Sequence, residues 1–177
     1  MVHRTVLVFI LVFLVALLVG CGAGGAAPDG AAAGLNPESA QTSGYCFEAD
    51  GVTIEMGAPA APVVEALYEP LNYFEAPSCA FEGIDRIYYY RGFELYTFPV
   101  GDVDFISSIN LTDDSVKTPE GVYLGMGLDK IVSAYGEGYT QSFGQYSYSL
   151  DDSSLSFLIE GDVVTAITYN YTNLPEG

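Results

Sequence analysis

The chain has 177 residues, with 23 acids against five Lys and Arg, and a formal charge of −18. That charge excludes nucleic acid phosphates and anionic headgroups as partners held by electrostatics. The only histidine is His3 and tryptophan is absent, so beyond the N-terminus a histidine-based nucleophile system and most catalytic zinc sites are excluded.

In chain order, His3 and Arg4 give a weakly basic start, and residues 6–19 form an unbroken apolar run. Leu18, Val19, Gly20 and Cys21 follow. Basic, apolar and small-residue regions in this order predict a cleaved signal peptide over residues 1–20. The apolar run, about 14 residues, is shorter than the roughly 20 that a spanning helix needs. Leu-Val-Gly-Cys resembles the lipobox of bacterial lipoproteins. The resemblance implies that Cys21 carries diacylglycerol and palmitate-class acyl chains, with the domain at the extracytoplasmic face of the cell membrane. Cleavage leaves four bases (Arg86, Arg91, Lys117, Lys130) against the 23 acids, or −19. A domain so acidic is repelled by an anionic bilayer, so the lipid does the holding. Residues 21–43 then read as the lipidated cysteine and a Gly/Ala/Pro/Ser-rich tether with no apolar periodicity. As a flexible coil the tether holds the domain about 25 Å from the bilayer.

Residues 44–177 suit one domain, with an internal repeat. Residues 54–70 match 122–138 at an offset of 68: Gly57 meets Gly125, Val63 meets Ile131, Val64 meets Val132, Ala66 meets Ala134, and Glu69 meets Glu137. Each copy predicts a short helix. In the first, Pro59 and Pro62 fall in the opening turn, Val63, Ala66 and Leu67 share a face, and Pro70 ends it. In the second, Leu128, Ile131, Val132 and Tyr135 form the stripe and Gly136 is the C′ residue. Strands are predicted before the helices at 52–55 and 122–124, and after them at 86–91, 93–98, 104–111, 145–149, 154–160 and 163–171. Arg91–Gly92 and Gly161–Asp162 read as tight turns. The predicted fold class is α+β: two tandem helix-plus-antiparallel-strand repeats, about 52–112 and 120–171, forming one sheet with short helices packed on one face. This pattern resembles the tandem-repeat inhibitors and lipoproteins of the β-lactamase-inhibitor-protein-like class and the single-repeat small outer-membrane-assembly lipoproteins. The resemblance implies protein binding through the sheet and carries over no functional residue.

With Cys21 taken by lipid, Cys46 and Cys79 form a candidate disulfide in an exported protein. Closing that loop of about 33 residues would contribute roughly 3–4 kcal/mol. The alternative is two free thiols. Tyrosine is plentiful, 14 in all, and Tyr88, Tyr90, Tyr96, Tyr146 and Tyr148 are the candidate binding face, since tyrosine offers large area at low entropic cost. Acid pairs at Asp102/Asp104, Asp113/Asp114 and Asp151/Asp152 match no calcium loop and read as solvated. Asn110-Leu-Thr112 and Asn170-Tyr-Thr172 fit the glycosylation pattern by chance. The resulting expectation is a non-enzymatic, membrane-anchored surface lipoprotein with no cofactor and no metal. It binds a protein or peptide through a tyrosine-rich sheet; the alternative is a structural or inhibitor-like envelope component with no small ligand.

Overall fold

The computed structural model describes residues 44–175. The expected signal peptide, the lipidation site Cys21 and the tether lie outside the described residues. Among those described, no helix is long and apolar enough to cross a membrane.

A two-stranded hairpin comes first, β1 (Cys46–Ala49) with β2 (Val52–Glu55), followed by helix α1 (Ala60–Ala66). Then come β3 (Asn72–Pro77), β4 (Ile84–Tyr90), β5 (Phe93–Val100) and β6 (Val103–Leu111). Helix α2 (Leu128–Tyr135) leads to β7 (Thr140–Ser142), β8 (Gln145–Leu150), β9 (Ser153–Glu160) and β10 (Val163–Tyr171). The last eight strands form one antiparallel sheet in the order β3-β4-β5-β6-β10-β9-β8-β7.

The α+β expectation is corrected: the described residues are mostly β, about 50% strand and 11% helix. The physical reason is the brevity of the helices. The first has seven residues and the second eight; neither has a side-chain N-cap bond, and each buries one residue, Ala60 or Ile131. Helices this short gain little from propagation. The covered face of the sheet is filled largely by strand residues, with Phe47 and Ile54 of the β1–β2 hairpin reaching the core. Residues 122–124 are also corrected. Val122 is buried, but its N–H donates to Thr118 Oγ1 (3.1 Å) and its carbonyl accepts from the Thr118 N–H (2.8 Å), which ties it into a loop.

The halves β3–β6 and β7–β10 are related by a local two-fold between β6 and β10. One cross-strand row runs Tyr148, Leu155, Tyr169, Ile109, Leu95, Tyr88. Tyr88 corresponds to Tyr148, Leu95 to Leu155 and Ile109 to Tyr169, each at an offset of 60. At the helix starts the offset is 68: Gly57 and Gly125 donate to Ile106 O (2.9 Å) and Val164 O (2.8 Å). The first half therefore uses eight more residues between its helix and β4, much of the excess in the longer β3–β4 connection.

Candidate binding face

Strand residues paired across an antiparallel ladder share a face, and alternate residues change face. The registers therefore place each tyrosine. Tyr90, Phe93, Leu111, Ile167, Phe157 and Tyr146 form one row on the core side, and the row containing Tyr88 and Tyr148 runs beside it. Tyr88, Tyr90, Tyr146 and Tyr148 thus cap the two ends of the core rows, in opposite wings of the sheet. Tyr96 pairs with Ile87 and Ser108 on the other face. The expected five-tyrosine surface is corrected, because these residues share neither a face nor a wing.

Most of them pack. Tyr148 is buried and its hydroxyl donates to Gly136 O at 2.7 Å. Tyr90 stacks on Phe93 at 4.9 Å, and burial, then the nearby Tyr88, pushes its phenol up to about 12. Burial also raises the Tyr88 phenol, whose ring lies 5.1 Å from Tyr73. Tyr146 meets Tyr139 edge-on at 4.9 Å and accepts from Gln141 Nε2. Tyr96 donates to Glu94 Oε2 (2.6 Å), and burial followed by that bond pushes it up to about 12.

Tyr169, at the centre, is fully buried and its hydroxyl has no hydrogen-bond partner. Its neighbours Tyr135 and Glu120 bond to each other, and burial drives the Tyr169 phenol far above its ordinary range. An unpaired buried hydroxyl costs about 1–3 kcal/mol, and the equivalent position in the first half is Ile109. Tyr169→Phe is therefore expected to leave stability unchanged or raise it by about 1 kcal/mol, whereas Tyr148→Phe, which breaks a made bond, should lower it by about 1 kcal/mol. Urea unfolding of both variants checks this; a loss in Tyr169→Phe as large as in Tyr148→Phe would disprove it.

The two halves differ most on the face turned away from the core. There the first half has half-buried Ile87, Tyr89 and Tyr96 and a buried Phe98, and the second half has Ser147, Ser149, Ser156 and Leu158 at the equivalent positions. Phe74, opposite Ile87 on β3, corresponds in register to Thr140, opposite Ser147 on β7. The longer β3–β4 connection lays Phe81 5.4 Å from Phe98. A cavity of about 380 Å³ opens among Phe74, Phe81, Ile87, Tyr96, Phe98 and Leu174. An adjoining hollow of about 270 Å³ shares Phe98 and Leu174 and adds Phe105 and Tyr171. On the second half the matching recess is lined by Gln145, Ser156, Leu158, Ala166, Thr168 and Asn170.

The two edge strands differ in the same way. Among the large exposed apolar side chains, Tyr68 (74%), Leu71 (72%), Tyr73 (42%) and Phe74 (52%) fall within seven residues at or beside β3. The opposite edge, β7, is Thr-Gln-Ser, with one fully exposed aromatic residue, Phe143, in the turn that follows it. Sequence reasoning missed Phe74, Phe81 and Phe98. The available signal was Phe98, an apolar residue out of phase with Phe93 and Leu95 in a strand otherwise alternating.

Cys46 begins β1 and is half-buried, and Cys79 is exposed in the β3–β4 connection. Both are free thiols, so the expected disulfide is corrected. β1 belongs to the separate hairpin over the core, whereas Cys79 lines the cavity on the far face. Of the acids, Asp104 binds Arg86 Nη1 at 2.5 Å, and Asp113 accepts from the Ser115 N–H at 2.8 Å, which together with the Ser115 hydroxyl bond holds its carboxyl below the ordinary value. Among the described residues no three His, Cys, Asp or Glu side chains gather to hold a metal. Another cleft, of about 390 Å³, brings Arg91 and Lys117 beside Glu48 and Asp50; its charges balance, so it offers no net attraction to an anion. No family model, curated protein or solved structure matches the chain.

Proposed function

We propose that this chain is a lipoprotein anchored through Cys21 at the extracytoplasmic face of a membrane, that it is not an enzyme, and that its domain binds another protein through the aromatic far face and edge of the first half. The observation that carries the reading is the divergence of the two halves. The second half acts as an internal control: it builds the same four strands with serines on the far face and a polar three-residue edge. The scaffold therefore does not require aromatic residues there. Exposed apolar patches of this kind mark interaction sites on soluble domains.

Photo-crosslinking of the full chain in cells tests it. A crosslinking amino acid at Phe74 or Tyr89 should give a discrete protein adduct, and the same group at Thr140 or Ser149 should not. The adduct at Phe74 should disappear with Ile87→Ser plus Tyr96→Ser, substitutions that the second half already carries. Equal adducts from both halves, or none from the first, would refute the binding face. Cys21→Ser should leave the precursor unprocessed; normal processing in that variant would refute the anchor.

A further inference from the structure

We infer that the partner engages β3 as an added strand, and that its extended segment alternates apolar with basic side chains. This rests on the binding reading above and goes further by naming the partner's chemistry. β3 is an edge of the eight-stranded sheet, so one side of its backbone pairs with no strand of this chain among the described residues. Five of its six residues are exposed, and Ala76 is half-buried. Pro70 precedes it and Pro77 ends it. Proline has no N–H to give a ladder, which confines main-chain pairing to residues 72–76, where an added strand must displace Asn72 Oδ1 from the Tyr73 N–H that donates to it at 2.9 Å. An exposed edge of this length is a template for strand addition.

The two faces of β3 fix the alternation. On the far side lie Phe74 and Ala76, both lining the apolar cavity with Ile87, Tyr96 and Phe98. A partner side chain on that side meets mainly hydrocarbon, with Asp85 and Arg86 also lining the cavity, and is expected to be apolar opposite Phe74. On the core side lie Tyr73 and Glu75, and the Tyr73 hydroxyl donates to Glu75 at 2.5 Å. The Glu75 side chain is 54% exposed and its contact with Arg86 is loose, at 3.6 Å, because Arg86 holds Asp104 at 2.5 Å. Glu75 therefore keeps room for a second cation. Residues 69–91 hold Glu69, Glu75, Glu82 and Asp85 against Arg86 and Arg91. The wing is acidic within an acidic chain, so a basic partner is steered toward it and a second copy of the chain is repelled.

The test uses the full-length lipoprotein in detergent and fluorescent six-residue peptides read by anisotropy. A peptide alternating lysine and phenylalanine should bind about tenfold more tightly than one with three lysines followed by three phenylalanines. An alternating glutamate and phenylalanine peptide should bind no better than the blocked one. N-methylation of every amide in the alternating peptide should abolish its advantage, since strand addition depends on main-chain hydrogen bonds. Glu75→Gln should reduce the preference for lysine over serine at the alternating positions. Equal binding of blocked and alternating peptides would reduce the effect to bulk charge and overturn the inference, as would undiminished binding after N-methylation. Concentration-dependent dimerisation that excludes the peptide would assign the edge to a second copy instead. If crosslinks form at Phe74 while no alternating peptide binds, this inference falls and the binding face stands; if neither occurs, both fall.

Discussion

Phe157→Ala is expected to lower the stability of the domain by about 3–5 kcal/mol. Phe157 is fully buried at the middle of the second half, between Tyr146 on β8 and Ile167 on β10. Its ring lies 5.4 Å from Tyr135 of α2 and 6.2 Å from Tyr148, so it joins the short helix to the sheet. Truncation removes the transfer free energy of the ring and leaves a cavity that neighbours on three elements cannot jointly fill. Domains of this size have about 5–15 kcal/mol in total, so the variant should approach the unfolding threshold. Leu158→Ala, one residue on, points to the far face and should cost under about 1 kcal/mol. Denaturant unfolding with an unchanged slope distinguishes the two. Losses of similar size would mean that the assignment of faces is wrong.

That contrast also shows what the sequence made legible. The alternation of Phe93 with Leu95, and of Leu155 with Phe157, marks β5 and β9 because one face of each is buried. The strand over residues 163–171 was bounded by a turn with glycine and lacked any breaker. The missed strands have no such signal. β1 is four residues with two inward side chains, β7 has no apolar residue, and β3 is an edge with aromatic residues on both faces and a terminal proline. Length alone decided the helices: their apolar stripes were visible, but seven or eight residues cannot cover an eight-stranded sheet. Alternation shows which tyrosines share a face without showing which face is buried. The tight turn at Arg91–Gly92 carried the missing information, since it sets Tyr90 opposite Phe93 and hence Tyr88 and Tyr90 on the core side. The aromatic far face remained hidden for a different reason. The repeat is visible in the sequence at its helices, at an offset of 68, and only the strand offset of 60 sets Ile87 and Tyr96 against Ser147 and Ser156.

The same repeat permits a paired prediction at its two glycines. Gly57→Ala should destabilise the domain by roughly 1–3 kcal/mol more than Gly125→Ala. Both glycines lie in the left-handed region, with φ of +78° and +93°, where any Cβ costs roughly 1–2 kcal/mol. Both donate their N–H to the last strand of their half, so neither backbone can readily relax. Their surroundings differ. A Cβ on Gly125 meets nothing within 4 Å, but one on Gly57 would lie 2.5 Å from Cε2 of Tyr171. That ring stacks on Phe98 at 6.0 Å and 13°, so the clash passes into the aromatic cluster beside the far-face cavity. The excess should therefore depend on the ring. In a Tyr171→Ala background the two glycine substitutions should cost nearly the same, a coupling that a double-mutant cycle measures directly. If Gly57→Ala remained the costlier change without the ring, the excess would lie in the backbone at Gly57, and the close approach to Tyr171 would not be its cause.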